Sequence, residues 1–325
     1  MSSTTRLLFA LLCITACSCS APSDSAQQTK STPVIGFIDY VEDVTLAQAK
    51  KGFMDALRDS GFSEENNTLN VIYRNAQGDQ PTLLQAVDYI ISQQPELIAT
   101  NTTLATINTV QRNREIPVFM MVAPRPDIAG LTDKEGKAPA NLFGVYETLD
   151  YIDTAVTLIH SLFPSAKKAG TIYSQSESQS VDALNRLKAG CAKLGITLEA
   201  MPVTNSSETQ LITQSLLAKG VDVFFALPDN VIFSSFETVA KACEEKHVPV
   251  LTSEAGLVAR GAMASYGADM YHWGYQSGQQ AAQYLKTGKT EGIQPEIVKV
   301  RNRLMKRSAA ITYLTNIDAA FTLIP

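Results

Sequence analysis

Residues 96–120 decide the fold of this chain, and they read ELIATNTTLATINTVQRNREIPVFM. Residues 96–100 predict a buried strand, residues 102–112 predict a helix, and residues 117–120 predict a second strand. Two strands separated by a helix of this length lie parallel in one sheet, because the chain must cross back over the sheet between them. The stretch therefore predicts one unit of a doubly wound α/β sheet.

The same unit recurs in the second half of the chain. Residues 222–226 predict a strand, residues 231–246 a helix and residues 249–252 another strand. Further strands and helices alternate around both units, beginning at Val34. We therefore predict an α/β protein of two similar lobes, each a doubly wound parallel sheet, with a ligand cleft between them. Ligands of such sheets bind beyond the carboxyl ends of the strands.

Composition places the chain among globular proteins. Its 325 residues include 45% hydrophobic and 18% charged residues, and its formal net charge is −5. This length suffices for two domains. The acidic balance argues against a nucleic-acid surface, which needs basic side chains to neutralise phosphates. No run of 18 apolar residues occurs, so no transmembrane helix is expected.

The N-terminus has the pattern of an export signal. A cationic start and an apolar core at residues 7–14 precede small residues, which predicts a lipoprotein signal peptide at residues 1–16. Ile14-Thr15-Ala16-Cys17 resembles the bacterial lipobox, whose cysteine carries the lipid. An ordinary signal peptide with an incidental cysteine is the alternative, and Cys19 is a poorer lipid acceptor. Residues 17–32, rich in Ser, Gln, Ala and Thr, predict a flexible tether.

Polar residues follow several predicted strands and are expected to face the cleft. Thr102 and Thr103 follow the strand at residues 96–100, and Asp229 and Asn230 follow the strand at residues 222–226. Several such positions are helix starts. There, free backbone N–H groups and the helix dipole favour a carboxylate or another anionic group.

Short sequence words in a fixed order connect the chain to a known family. They are KGFMDAL (51–57), NAQGD (75–79), IPV (116–118) followed by AGL (129–131), PDN (228–230), RGA (260–262), YGAD (266–269) and GYQSG (274–278). With these words the chain resembles the ABC-transporter substrate-binding proteins of the tryptophan-binding type, a branch of the type I periplasmic binding proteins. The likeness spans roughly residues 33–325, and the combination is more specific than any single word.

The resemblance implies two Rossmann-like lobes that are joined by crossing strands and close on a solute. It implies an N-terminal lobe of residues 33–146 plus about 270–290, and a C-terminal lobe of residues 147–269 plus about 291–325. The expected partners are a small amino-acid-like solute, the ABC permease and ATPase subunits, and the membrane through the lipid anchor. No cofactor, metal or nucleic acid is expected, and the chain is expected to be a monomer.

The resemblance implies that the protein carries an amino acid, since aromatic amino acids are prominent among the ligands of the characterised members of the family. Such a ligand requires an anion site for its carboxylate, an acidic partner for its ammonium group, and an apolar slot. Asp229 is the expected ammonium partner, because it matches the family's acidic residue at a strand end facing the cleft. An N-cap for the helix from Val231 onward is the alternative role, and the two roles are compatible.

The chain departs from the family pattern at several cleft positions. Glu42-Asp43-Val44 stands where Glu-His-Pro is usual, and Arg125 replaces an acidic residue. Arg125 is either a bidentate partner of a carboxylate or phosphate or a solvated loop arginine. The departures leave a different amino acid or a small anionic solute as tenable as tryptophan. The candidate ligand-binding residues are Glu42, Thr102, Thr103, Arg125, Ser178, Ser180, Asp229, Asn230 and Glu254.

No constellation for catalysis is present in the sequence. The chain has only three histidines, no His/Cys cluster with metal-ligand spacing, and no nucleophile elbow or Walker loop. We therefore expect an exported, lipid-anchored solute-binding protein of an ABC importer that faces the periplasm or cell exterior, and not an enzyme. A ligand-sensing module that signals to a membrane receptor or kinase is the alternative. Trp273 is expected to pack its helix against a lobe or to stack on the ligand.

Overall fold

A computed structural model of the protein describes residues 31–315 and 317–325. The predicted signal peptide at residues 1–16, the lipid acceptor Cys17 and residues 17–30 of the tether lie outside the described residues and stay predictions. Among the described residues, no helix has both the length and the apolar character needed to cross a bilayer.

The first half of the chain alternates strands and helices in the predicted order. Its central strands carry nearly continuous buried side chains, because helices cover both faces of a parallel sheet. The elements are β1 (Val34–Asp39), α1 (Leu46–Asp59), β2 (Asn70–Asn75), α2 (Gln80–Ser92), β3 (Leu97–Asn101), α3 (Thr103–Arg112), β4 (Val118–Pro124) and β5 (Leu142–Glu147).

The second half repeats this alternation before the chain returns to the first lobe. The repeat contains α4 (Tyr151–Leu162), β6 (Lys168–Tyr173), α5 (Ser178–Lys193), β7 (Thr197–Pro202), α6 (Thr209–Leu217), β8 (Val223–Ala226), α7 (Asn230–Ser234), α8 (Phe236–Glu245), β9 (Val250–Thr252), α9 (Gly256–Ala259) and β10 (Ala264–Ala268). The last elements are α10 (Met270–Thr287), β11 (Glu296–Ile297), β12 (Arg301–Lys306), α11 (Arg307–Tyr313) and β13 (Thr322–Ile324).

Two sheets organise these elements into two lobes. The six-stranded sheet of the first lobe has the order β11-β5-β4-β3-β1-β2, and all its strand pairs are parallel. The seven-stranded sheet of the second lobe has the order β13-β12-β10-β9-β8-β6-β7, in which β10 and β12 alone pair antiparallel. The predicted α/β fold of two mainly parallel sheets is confirmed.

The chain passes between the sheets after β5, after β10 and after β11, and polar contacts join these crossings. Arg301 forms a bidentate ion pair with the fully buried Glu147, with its Nε 2.9 Å from Oε2 and its Nη2 2.7 Å from Oε1. The side-chain amide of Asn302 donates to Asp269 Oδ2 at 2.7 Å. The lobes are therefore connected through one compact bundle of segments.

One expected lobe boundary is wrong. The family resemblance implies that residues from about 291 onward belong to the C-terminal lobe, but Glu296 and Ile297 pair in parallel with β5 of the first sheet. The N–H of Val298 also donates to the carbonyl of Tyr146 at 2.9 Å. Because this short strand extends the first sheet, the chain leaves the first lobe only after Val298. The other boundaries stay predictions.

Helix α10 lies against α1 with the two backbones in close approach. A Cβ added at Gly274 would collide with the carbonyl of Ala49, so a larger residue at this position would push the helices apart. The indole N–H of Trp273 donates to the carbonyl of Val145 at 2.8 Å. These contacts fix the first turn of α10 at the junction of the lobes.

Candidate functional site

A cavity of about 30 Å³ lies beyond the carboxyl ends of strands from both sheets. This is the position that the strand order predicts for a ligand. Both lobes and the first turn of α10 contribute to its wall. The lining residues are Thr102, Thr103, Val122, Ala123, Pro124, Leu149, Tyr151, Gln179, Pro228, Asn230, Phe233, Glu254, Met270 and Trp273.

Four of the residues predicted for the site lie together in this wall: Thr102 and Thr103 at the start of α3, Asn230 at the start of α7, and Glu254 after β9. The Thr102 hydroxyl donates to Asn230 Oδ1 at 3.1 Å, so one buried hydrogen bond joins the lobes at the cavity. No side chain caps the N-terminus of α3, and the N–H groups of a first helical turn have no acceptor within the helix. The wall therefore offers backbone donors on the side of the first lobe.

Two buried acceptors in the wall have no hydrogen-bond partner among the described residues: Gln179 Oε1 and Glu254 Oε2. The other carboxylate oxygen of Glu254, Oε1, accepts from the Tyr151 hydroxyl at 2.6 Å. Burial, with a smaller contribution from the negative charge of Glu147, raises the pKa of Glu254 to about 8. An unpartnered buried polar atom is costly. A cationic ligand group that donates hydrogen bonds would supply the missing partners and favour the ionised form of Glu254.

Glu177 orients the amides that line the cavity. Its Oε2 accepts from the side-chain amide of Gln179, from the backbone N–H of Asn230 at 3.1 Å, and from the side-chain amide of Asn230 at 2.8 Å. Because both NH₂ groups are directed to Glu177, the two amide oxygens point elsewhere. Asn230 Oδ1 accepts from Thr102, and Gln179 Oε1 stays available to a ligand.

Asp229 is fully buried, and both of its carboxylate oxygens are occupied. Oδ1 accepts from the N–H groups of Val231 at 2.8 Å and Ile232 at 3.1 Å, which caps α7. Oδ2 accepts from the Ser174 N–H and the Ser180 hydroxyl, each at 2.6 Å. Asp229 does not line the cavity. These contacts give Asp229 the N-cap role, and none of them supports its role as an ammonium partner.

The structure does not bring the remaining candidates into the cavity wall. Arg125 is half-exposed and pairs with Asp127 through two hydrogen bonds of 2.6 and 2.9 Å, as a loop arginine does. Glu42 is exposed. Ser180 contacts Asp229, and the Ser178 hydroxyl is buried without a partner in the described chain. Ligand contacts of these four residues stay predictions.

Residues 34–318 match the family model described as ABC transporter substrate binding protein. The chain belongs to this family. The family predicted from the sequence words is confirmed, and so is the expectation that the protein is not an enzyme. As an ABC transporter substrate-binding protein, it acts outside the cytoplasm on small solutes such as amino acids.

One relative and two solved structures are similar to this substrate-binding protein. The tyrosine-binding protein of Clostridioides difficile is 32% identical over 287 residues, which are 87% of this chain and 82% of the relative. The solved structure of an ABC domain of Streptococcus pneumonia in complex with L-Trp is 25% identical and has a TM-score of 0.80. It covers 87% of this chain and 95% of that chain. The ligand-free, open structure of a Clostridium difficile substrate-binding protein with adhesive properties is also 25% identical and has a TM-score of 0.66. It covers 90% of this chain and 99% of that chain.

The two solved structures differ in their overall likeness to this substrate-binding protein. Sequence identity is the same for both, yet the TM-scores are 0.80 for the tryptophan complex and 0.66 for the ligand-free, open structure. The Thr102–Asn230 hydrogen bond joins the two lobes of this chain at the cavity.

Several residues of the cavity wall were missed by the sequence argument. Tyr151 begins α4, directly after the first crossing, and Phe233 and Met270 belong to first turns of helices that also follow strands. Gln179 lies between the predicted Ser178 and Ser180. The loop before α5 is predictable because it follows a strand, but the sequence contains no signal for the direction of each side chain in the first turn of α5.

We predict that Asp229→Ala destabilises this substrate-binding protein. The change leaves four donors, three of them buried, without their acceptor. The free energy of unfolding should therefore fall by at least about 2 kcal/mol, measured by urea denaturation. Asp79→Ala is the matched control, since Asp79 caps α2 at the surface through Thr82 and should cost about 1 kcal/mol. Equal losses for the two variants would contradict the structural role of Asp229.

We also predict that Glu254 makes stability depend on pH. Its pKa is raised from the usual 4.5 to about 8, so the folded chain holds a proton that the unfolded chain has released between these values. Its contribution to stability therefore falls as pH rises from about 4.5 to 8. The melting temperature of the wild type should drop more between pH 5 and pH 8 than that of Glu254→Gln. Parallel drops in both chains would exclude this titration.

Proposed function

We propose that this substrate-binding protein captures an amino acid with an aromatic or similarly apolar side chain for an ABC importer, as an exported and lipid-anchored protein. The proposal is carried by one observation: the cavity between the lobes combines an apolar wall with two acceptors that have no partner in the part of the chain that the structure describes. An amino acid has the complementary groups, an ammonium donor and an apolar side chain.

The acceptors suit the ammonium group of the ligand. Gln179 Oε1 and Glu254 Oε2 are both buried, and neither has a donor among the described residues. An ammonium group has three N–H donors, and its charge beside Glu254 favours the ionised carboxylate. The first turn of α3, at Thr102 and Thr103, supplies backbone N–H groups for the ligand carboxylate on the opposite lobe. One ligand thus contacts both lobes.

The remaining wall suits an apolar side chain. Phe233, Met270 and Trp273 line it together with Val122 and Leu149. Aromatic rings provide large contact areas and favour edge-to-face or offset packing with another ring. The 32% identical relative is a tyrosine-binding protein, and the 25% identical structure is a complex with L-Trp. Both support an aromatic amino acid as the ligand of this chain.

Capture requires movement of the lobes. A cavity of about 30 Å³ holds about one water molecule, whereas an amino acid is several times larger. The lobes must separate to admit the ligand, and the lining side chains must make room as they close. Contacts from one ligand to both lobes then favour the closed state. In this proposal the closed form delivers the solute to the permease and its ATPase subunits.

The N-terminal sequence supports export and anchoring. The apolar core at residues 7–14 is too short to span a bilayer, and Cys17 follows small residues, as in a lipobox. The stretch up to the first strand at Val34 then links the anchor to the binding lobes. In this proposal the link keeps the lobes near the permease.

We expect Glu254→Gln to weaken the binding of L-tyrosine about 10- to 100-fold. The amide replaces a charge-assisted hydrogen bond, worth about 1.5–3 kcal/mol, and turns an NH₂ group towards the ligand ammonium. Isothermal titration calorimetry with L-tyrosine and L-tryptophan measures the affinity. Arg125→Gln is the control, because Arg125 pairs with Asp127 outside the cavity wall, and it should bind as the wild type does. An unchanged affinity of Glu254→Gln would remove Glu254 from the site.

We expect Cys17→Ser to release the protein from the membrane. Without the thiol no lipid is attached, so the chain should move from the membrane fraction to the soluble extracytoplasmic fraction. Fractionation and labelling with a radioactive or clickable fatty acid measure this change. Cys19→Ser is the matched control and should stay lipidated and membrane-bound. Lipid on the Cys17→Ser chain would exclude Cys17 as the acceptor.

A further inference from the structure

Arg260 connects the two lobes at a distance from the ligand cavity. It follows α9 of the second lobe, and its Nη1 lies 2.5 Å from Oδ2 of Asp43, which precedes α1 of the first lobe. Nη1 also donates to the Thr45 hydroxyl at 3.2 Å. Neither Asp43 nor Arg260 lines the cavity. The contact is therefore a link between lobes that does not include the ligand.

The guanidinium group is also held firmly by its own lobe. Nη2 donates to the carbonyl of Phe233 at 2.7 Å and to Glu237 Oε2 at 2.8 Å, and Nε donates to Glu237 Oε1 at 2.7 Å. With the contacts to the first lobe, all five N–H donors of Arg260 have acceptors. Because Phe233 lines the cavity, the same group that reaches the first lobe also touches the backbone of the ligand wall.

Asp43 is equally constrained in the first lobe. Its Oδ1 accepts from the N–H groups of Thr45 and Leu46 at 2.8 and 3.0 Å, which leaves Oδ2 to face Arg260. The side chains are 2% exposed for Asp43 and 10% for Arg260. A buried ion pair of this kind is weakly screened by salt, and removing one partner leaves the other charge buried and unpaired.

The backbone of the second lobe also lies against a side chain of the first lobe beside this ion pair. A Cβ added at Gly256, in the first position of α9, would collide with the Thr45 methyl group. The lobes thus touch without a gap at the point where Asp43 and Arg260 pair. Asp43 and Thr45 belong to one lobe and Arg260 and Gly256 to the other, so a separation of the lobes at this point would break the ion pair and this contact together.

We propose that Asp43 and Arg260 form a latch that sets the affinity of the protein by stabilising the closed state. The latch rests on the proposed function in one respect, that the ligand is captured by lobe closure. A ligand that needs the closed state binds with an apparent affinity scaled by the population of that state. Asp43 and Arg260 therefore act as positioning residues, which tighten binding without touching the ligand.

The test compares Asp43→Asn with Asp88→Asn. Asparagine keeps the Oδ1 cap of α1 but removes the charge facing Arg260, so the fold should persist while the latch is lost. Asp88 pairs with Arg112 on the exposed surface of the first lobe, and its neutralisation should change nothing. With L-tyrosine as the probe, calorimetry should give at least a tenfold higher Kd for Asp43→Asn and an unchanged Kd for Asp88→Asn. Melting temperatures of the free chains check that both variants fold.

Small-angle X-ray scattering measures closure directly. Asp43→Asn should increase the radius of gyration of the chain relative to the wild type, and Gly256→Ala, which adds a methyl group between the lobes, provides the reference for an opened chain. The double variant Asp43→Asn/Arg260→Gln should lose less affinity than the two single losses combined, because both changes break the same ion pair. Additive losses would overturn the pairing of these two residues as the cause.

The outcomes separate the latch from the proposed ligand. A Kd for L-tyrosine that is the same in Asp43→Asn and the wild type overturns the latch, even where the ligand is correct. If the wild type binds neither L-tyrosine nor L-tryptophan, the proposed ligand class fails, and scattering alone decides about the latch. In that case, equal radii of gyration for the wild type and Asp43→Asn overturn it, and a larger radius for Asp43→Asn supports it.

Discussion

The buried ion pair between Glu147 and Arg301 is the interaction on which the two-lobe architecture depends. Glu147 ends the last central strand of the first sheet, and Arg301 begins the strand that adds to the second sheet. A fully buried carboxylate without this partner would be strongly destabilising. The pair also influences the cavity, since the charge of Glu147 helps to raise the pKa of Glu254 and Arg301 lies 6.0 Å from the ring centre of Tyr151. The connection between the lobes and the ligand wall therefore share one electrostatic environment.

Three buried carboxylates of the second lobe show how surroundings assign different roles to similar side chains. Asp229 is saturated by donors of its own lobe and serves as a cap. Glu177 accepts from the amides of Gln179 and Asn230, and so determines which of their atoms face the cavity. Of the three, only Glu254 has a fully buried oxygen without a partner in the described chain. Acidic character at a strand end is thus not enough to identify a ligand contact. What matters is whether donors of the same lobe already bind both carboxylate oxygens.

The fold could be predicted from the sequence because it follows from periodicity and repetition. Residues 96–120 and their counterpart at residues 222–252 each show apolar strands separated by one helix, and a parallel sheet is the packing that such units allow. The prediction failed at Glu296–Ile297, since a strand of two residues carries no periodic signal. Its place beside β5 is determined by tertiary contacts alone.

The site was predictable in its location but not in its detail. Strand ends indicated Thr102, Thr103, Asn230 and Glu254, because the carboxyl ends of parallel strands meet at one edge. Arg125 was a poor candidate for reasons of local geometry, since Asp127 lies close enough to engage its guanidinium group. Near α1 the predicted ligand-binding residue is Glu42, which is exposed. Its neighbour Asp43 is buried and pairs with Arg260 of the other lobe. A shift of one residue in a loop reverses which side chain faces inward, and the sequence contains no signal for that choice.

Trp273 is suited to report on the cavity, because the chain has no other tryptophan and this one lies where the lobes join. It is the single tryptophan of the chain, it is 4% exposed, and it lies in the cavity wall at the start of α10. Because the chain has one tryptophan, all its tryptophan emission arises from the point where the lobes join. Indole fluorescence depends on the polarity and mobility of the groups around the ring. The protein thus contains its own optical reporter of ligand entry, without an attached dye, for every solute that lacks an indole ring.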